Sequence, residues 1–181
     1  MTFWNEYFEE VSQNLAGRSG SFKQIFKYLD SLKCKEVFIV ETGCYREEDN
    51  YRGDGCSTLL FDNYVKHRGG NVIAIDINPE ACKLATDNTS KQVEVICGDS
   101  VEELGYLEGK VDLLYLDSFN ITDWGNDWES SSHHLKELFA AKNIIKPGTL
   151  IVVDDNLRAA DGRLLGKGRL IGELMSALGL K

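Results

Sequence analysis

Five apolar runs in the chain each end in an acidic residue: FIVET with Glu41, VIAID with Asp76, VEVICGD with Asp99, LLYLD with Asp117, and LIVVDD with Asp154 and Asp155. Short runs of this kind, rich in β-branched residues, suit strands buried on both faces, and the segments between them are long enough for crossover helices. They therefore predict a parallel sheet. An open parallel sheet binds its ligands just beyond the carboxyl ends of its strands, so the acids share one rim. A carboxylate in that position can cap the following helix, accept from ribose hydroxyls or amines, or hold a cation.

The rest of the chain fits the same plan. Phe3, Tyr7, Phe8, Val11 and Leu15 recur at helical spacing, and Ser19 or Ser21 suits the cap of a second helix carrying Phe22, Ile25, Phe26, Leu29 and Leu32. Strands are expected at 35–41, 71–76, 92–98, 111–117 and 148–154, and helices at 57–68, 79–90, 100–107, 131–143 and 168–178. Asn78 before Pro79 reads as a helix cap followed by a proline in the first turn. Alternation of this kind predicts a three-layer α/β sandwich. With no repeat, low-complexity tract or linker, residues 1–181 read as a single domain: N-terminal helices over 1–33, a core over 35–156, and a loop and helix over 157–181.

Composition narrows the function classes. A net charge of -9, without a dense block of Lys or Arg, argues against nucleic acid and anionic membranes and favours a small-molecule partner. Cys34, Cys44, Cys56, Cys82 and Cys97 show neither a CxxC pair nor zinc-ligand spacing, and their odd number suits a reducing compartment. The N-terminus MTFWNEYFEEV lacks the order of a secretory signal, and no apolar run reaches membrane-spanning length. These features predict a cytoplasmic protein.

The segment ETGCYREEDNYRGDGCST leaves the first strand and enters a helix. Glycine lets backbone approach a ligand there, and helix N-terminal amides with the Ser57 and Thr58 hydroxyls can receive a carboxylate or phosphate. The loop departs from a compact GxGxxG, because a polar insert separates Gly43 from Gly53 and Gly55. Asp76, at the end of the next strand, stands where dinucleotide and nucleoside folds place the acid that accepts from ribose hydroxyls.

Over roughly residues 35–156 the chain resembles the class I S-adenosylmethionine-dependent methyltransferases, through VETGC with GDGCST, AIDINPEAC, VICGDSVEEL, VDLLYLDS and HHLKELFAAKNIIKPGTLIVVDDN. The resemblance implies a Rossmann-like sandwich with a mostly parallel sheet of at least five strands. It also implies S-adenosylmethionine as cofactor, with Glu41 and Gly43 lining its methionine part, Asp76 on the ribose, and Asp99 and Ser100 beside the adenine. Cys44, Gly55, Ser57, Ile77 and Asp117 complete the expected cofactor site.

Within that family the chain looks most like metal-dependent O-methyltransferases of the catechol, caffeoyl and macrolide-sugar kinds. That likeness implies Mg²⁺ or a similar divalent cation on Asp117, Asp154 and Asp155, with Asn156 as an alternative ligand, and a hydroxylated small molecule as acceptor. Three carboxylates suit such a hard ion, which would lower the pKa of a coordinated hydroxyl. Asp117 and His133 are the expected catalytic residues. His133 and His134 both open a helix, but neighbours on a helix point about 100° apart, so only one faces the site; His133, nearer the start, is the expected base. Trp124 and Trp128 suit either stacking on an acceptor or packing of their own loop. Arg158, Arg163, Lys167 and Arg169 suit either an anionic acceptor group or a solvated loop.

Two other functions share part of this pattern. A nicotinamide-dependent oxidoreductase would use the glycine loop and ribose acid, and a noncatalytic assembly protein would bind the cofactor without turnover. Relatives of the fold usually add a sixth strand and an antiparallel seventh; here the C-terminal strands are expected to be missing. The exposed sheet edge this leaves favours a homodimer.

Overall fold

The computed structural model describes residues 2–123 and 126–179. Its centre is a five-stranded parallel sheet in the order β3-β2-β1-β4-β5. The strands are β1 (Val37–Thr42), β2 (Gly70–Asp76), β3 (Val93–Cys97), β4 (Leu113–Leu116) and β5 (Leu150–Val153). The expected three-layer sandwich is therefore present, and all five expected strands occur within a few residues of their anticipated bounds.

Among the described residues, seven α-helices pack around these strands. A π-helical turn (Trp4–Phe8) runs into α1 (Glu9–Val11), and a 3₁₀ turn (Ala16–Arg18) leads into α2 (Ser19–Ser31). Then come α3 (Ser57–Arg68), α4 (Pro79–Asn88), α5 (Ser100–Tyr106), α6 (Trp128–Ala140) and α7 (Arg169–Ala177). No side chain caps α2, so neither Ser19 nor Ser21 plays the expected role. Asn78 does cap α4, accepting from the backbone N–H groups of Glu80 and Ala81.

Alternation along the strands divides the core between the two faces of the sheet. On one side Ile39, Val72, Leu113 and Tyr115 meet Phe22, Phe26, Phe61 and Tyr64 of α2 and α3, together with Phe3 and Phe8. On the other, Val40, Ile75, Leu114 and Leu116 meet Leu104, Leu138 and Ile171 of α5, α6 and α7. The aromatic N-terminal segment thus belongs to the core of the sandwich. No helix among the described residues is long and apolar enough to cross a membrane.

One element departs from the sequence-based expectation. The stretch after β5, expected as a loop, forms an antiparallel hairpin of β6 (Asn156–Arg158) and β7 (Leu164–Gly166), separate from the main sheet. Gly166 at its end has φ +105°, and a Cβ there would stand 2.1 Å from the Asp155 carbonyl oxygen. Only glycine lets the returning strand lie so close to the rim. The residue that follows, Lys167, is thereby carried into the interior.

Candidate active site

The strand order reverses between β1 and β4, since β2 and β3 continue on one side of β1 and β5 lies beyond β4. Open α/β sheets bind ligands in the crevice at such a switch point. A cavity of about 470 Å³ lies there, lined by residues at or beyond the ends of β1 (Gly43, Arg46), β2 (Asp76, Ile77, Asn78), β3 (Asp99, Ser100) and β4 (Asp117, Ser118, Phe119, Asn120), and by His133 of α6. Of the expected cofactor residues, Gly43, Asp76, Ile77, Asp99, Ser100 and Asp117 meet around this one space.

Asp76 ends β2 with both carboxylate oxygens anchored by backbone. Oδ2 accepts from the Cys44 N–H at 3.0 Å and Oδ1 from the Asn78 N–H at 2.8 Å. A carboxylate oxygen has room for more than one donor, so the anchored group can still accept from a ligand in the cavity. Cys44 contributes through its backbone, and its buried thiol is pushed well above the usual cysteine range, first by burial and then by Asp76 and Glu41. Asp99 caps α5 through Oδ1, which accepts from Val101 and Glu102. Capping and cavity-lining thus coexist in that residue.

Glu41 is completely buried. Its Oε2 accepts from the Ser57 hydroxyl at 2.9 Å, while Oε1 has no partner. Burial, opposed by the neighbouring Thr58 and Ser57 hydroxyls and reinforced by Asp117 and Asp76, pushes its carboxyl up to about 8. Ser57 and Cys44 line a narrow niche that also borders Gly43 and Asp117. Gly55 lines neither this niche nor the cavity; it packs on the side chain of Arg18. The polar insert turns that expected cofactor glycine away.

Arg46 is a lining residue that the sequence reading did not single out. Its guanidinium bridges Asp54, at 2.5 Å, and Asn120, at 3.2 Å, tying the loop after β1 to the loop after β4.

His133 borders the cavity beside Ser100. Its Nε2 lies 3.1 Å from the Ser100 hydroxyl and 3.3 Å from Glu137 Oε1, and its ring tilts against Phe119. Glu137, fully buried, also accepts from the Ser118 hydroxyl at 2.6 Å. Burial pushes Glu137 up, but His133, His134 and the Ser100 and Ser118 hydroxyls outweigh it and hold the carboxyl below the usual range. His133 is thus paired with Ser100, on the side expected for adenine, rather than with Asp117. His134 is inaccessible: it is wholly buried, with Nδ1 bonded to the Ser130 carbonyl.

The acids expected to bind metal already have cations. The Lys167 ammonium, 1% exposed, lies 2.5 Å from Asp117 Oδ1 and 3.0 Å from Asp155 Oδ2. Arg18 reaches in from the N-terminal side, 3.5 Å from Asp154 Oδ2 and 3.6 Å from Asp155 Oδ1. Asp154 further accepts from the Tyr115 hydroxyl at 2.8 Å and from the Asp155 N–H at 2.8 Å. A dication placed about 4 Å from the ammonium would be repelled by about 8 kcal/mol at an effective dielectric of about 20.

The expected Mg²⁺ site on Asp117, Asp154 and Asp155 therefore does not fit these residues. No group of three His, Cys, Asp or Glu able to hold a metal occurs among the described residues. Asn156, the alternative ligand, is a clamp: its amide donates to the Val153 and Asp154 carbonyls and accepts from Gly168. Lys167 belongs neither to a solvated loop nor to a surface anion site. Arg169 is bound to Asp127, whereas Trp128 is exposed at the start of α6; Trp124 lies outside the described residues.

Asp117 is the member of this group that borders the cavity. Burial pushes its carboxyl up to about 7; Lys167 opposes the rise, while Asp154 and Asp155 add to it. The crevice thus carries the backbone-anchored Asp76 at one strand end and, across Gly43, the raised carboxyl of Asp117.

Comparison with known proteins agrees with this geometry. The profile described as a methyltransferase domain matches residues 52–156, more than half of the chain. No curated protein sequence matches. Among solved structures, MycE, a methyltransferase of the mycinamycin biosynthetic pathway in complex with Mg, SAH and mycinamycin VI, superposes with a TM-score of 0.57 and 18% identity. That match covers 82% of this chain and 38% of MycE, so the chain spans well under half of MycE's length. A candidate rRNA methylase from Clostridium thermocellum gives 0.53 and 17%, covering 89% of this chain and 83% of that one. YjhP from E. coli gives 0.52 and 15%, covering 95% and 71%. At these identities the likeness is one of fold. The profile match over residues 52–156 shows that the chain belongs to the methyltransferase domain family.

Proposed function

We propose that the protein is an S-adenosylmethionine-dependent methyltransferase acting on a hydroxyl of a small molecule. The observation that carries this reading is the cavity at the switch point, which has Asp76 and the Asp99-Ser100 pair on one side and Asp117 on the other. Asp76, already oriented by two backbone N–H groups, would accept from the ribose hydroxyls. The unpartnered Glu41 Oε1 suits an amino group of the methionine part, because a buried oxygen without a donor is costly and an ammonium supplies one. Ser100 and His133 border the adenine end.

When bound, the cofactor supplies a methyl group on a positively charged sulfur. The chain aligns the acceptor and takes its proton. Asp117, at the cavity wall, would accept the proton that the acceptor hydroxyl loses on methylation. A general base performs best with a pKa near the working pH, and burial places Asp117 there. Alignment of donor and acceptor contributes more, on the order of 7 to 11 kcal/mol. No step needs a metal, because Lys167 and Arg18 supply the positive charge at the rim.

Methyl transfer from radiolabelled S-adenosylmethionine to a panel of phenols, sugars and other hydroxylated metabolites tests the reading. Turnover of at least one acceptor is expected, with Asp117→Asn at least about 100-fold slower. Cofactor binding without turnover across the panel would remove the assignment to hydroxyl acceptors.

A further inference from the structure

We propose that Lys167 is the resident cation of the acidic rim: a positioning residue that takes the electrostatic place of a divalent metal between Asp117 and Asp155. The protein consequently works without metal and gains a divalent-cation site only when that ammonium is removed. Its placing as the methyl-acceptor side rests on the proposed function; the cation chemistry does not.

Three oxygens surround Lys167 Nζ: Asp117 Oδ1 at 2.5 Å, Asp155 Oδ2 at 3.0 Å and the Asp117 carbonyl at 3.2 Å. An ammonium has three donors, so its capacity is filled. Main-chain contacts hold the residue in place. The Lys167 N–H donates to the Asp155 carbonyl at 3.3 Å, and the N–H of Gly166 donates to the buried Asp127 carboxylate at 2.6 Å. The β6–β7 hairpin therefore delivers the charge to a fixed point. Nearly all of the side chain is shielded from water, whereas the Asp117 and Asp155 side chains are 20% and 32% exposed, so a cation that replaced it would have a path from solvent.

Two hard carboxylates from different strand ends converging on one cation, with a third beside them on Arg18, supply the donor type that binds Mg²⁺ or Mn²⁺. An ammonium in their midst satisfies the same charge demand from within the chain. Asp117 is thereby held at the cavity wall in one orientation without an exchangeable ligand.

The test uses Mn²⁺ as probe, followed by calorimetry and electron paramagnetic resonance, on the wild type, Lys167→Met, Lys167→Arg, Asp155→Asn and Lys167→Met with Asp155→Asn. S-adenosylhomocysteine binding is recorded for each as a separate readout. The wild type and Lys167→Arg should show no one-to-one Mn²⁺ site. Lys167→Met should gain one, at least about tenfold tighter than any wild-type binding, with a Mn²⁺-dependent rise in Tm; adding Asp155→Asn should abolish it. A one-to-one wild-type site lost on Asp155→Asn would overturn the proposal, a result that stands even if Lys167→Met does not fold. So would a folded Lys167→Met with no affinity for Mn²⁺. Failure of every variant, wild type included, to bind S-adenosylhomocysteine would count against the methyltransferase reading alone.

Discussion

Gly43 and Asp117 touch backbone to backbone across the switch point: a Cβ on residue 43 would stand 2.7 Å from the Asp117 carbonyl oxygen. Gly43 also has φ +80°, a conformation that L side chains rarely adopt. The contact sets the spacing between the loop that leaves β1 and the acid that ends β4, both of which border the cavity. Gly43→Ala is predicted to cost about 1 to 3 kcal/mol through strain and steric conflict, or roughly 2 to 12 °C in Tm. Its affinity for S-adenosylhomocysteine should fall at least about tenfold. Thermal unfolding and calorimetry on the same sample check both.

Glu41 makes stability depend on pH in a definite direction. Its folded-state carboxyl sits at about 8, above its unfolded value, because of burial. Between roughly pH 4 and 8 the folded state therefore holds a proton that the unfolded state has released. Stability from this group is full below the unfolded pKa and is lost as pH rises through about 8. Glu41→Gln, which stays neutral, should raise Tm by at least about 3 °C at pH 9 and by less than about 1 °C at pH 4. Equal effects at both pH values would show that Glu41 ionises in the folded protein as freely as in solution.

Asp117 should govern the pH dependence of turnover. With its carboxyl raised to about 7 by burial, log kcat/KM is predicted to climb with pH and level off above about 7. Asp117→Asn should lower the plateau and remove that inflection, whereas His133→Gln should keep the inflection and act mainly on KM for the cofactor. A profile that loses its inflection in His133→Gln would return the base role to His133.

Much of the sheet was legible because strands buried on both faces write themselves as apolar runs, and because acids mark their carboxyl ends. Asp76, Asp99 and Asp117 fall at the cavity for that reason. The β6–β7 hairpin was not legible: three-residue strands carry too little alternation to separate from a loop. The cations of the rim were hidden in another way. Lys167 meets Asp117 across 50 residues, and a single basic residue in a polar stretch gives no local sign of such a partner. The resemblance to metal-dependent enzymes pointed to Asp117, Asp154 and Asp155 but carried no sign of Lys167 and Arg18, the cations that pair with them. For His133, a local signal existed: Glu137 stands one helical turn on, at the spacing that brings two side chains together.

The crevice at the switch point between β1 and β4 is proposed to hold the cofactor on Asp76. Calorimetric titration with S-adenosylhomocysteine, in buffer containing EDTA, tests it most directly. The wild type should bind one-to-one, unchanged by added Mg²⁺, and Asp76→Ala should lose at least about 30-fold, since hydrogen bonds to a charged group are worth about 1.5 to 3 kcal/mol each. A well-folded wild type that does not bind, or an Asp76→Ala variant that binds as tightly, would contradict it.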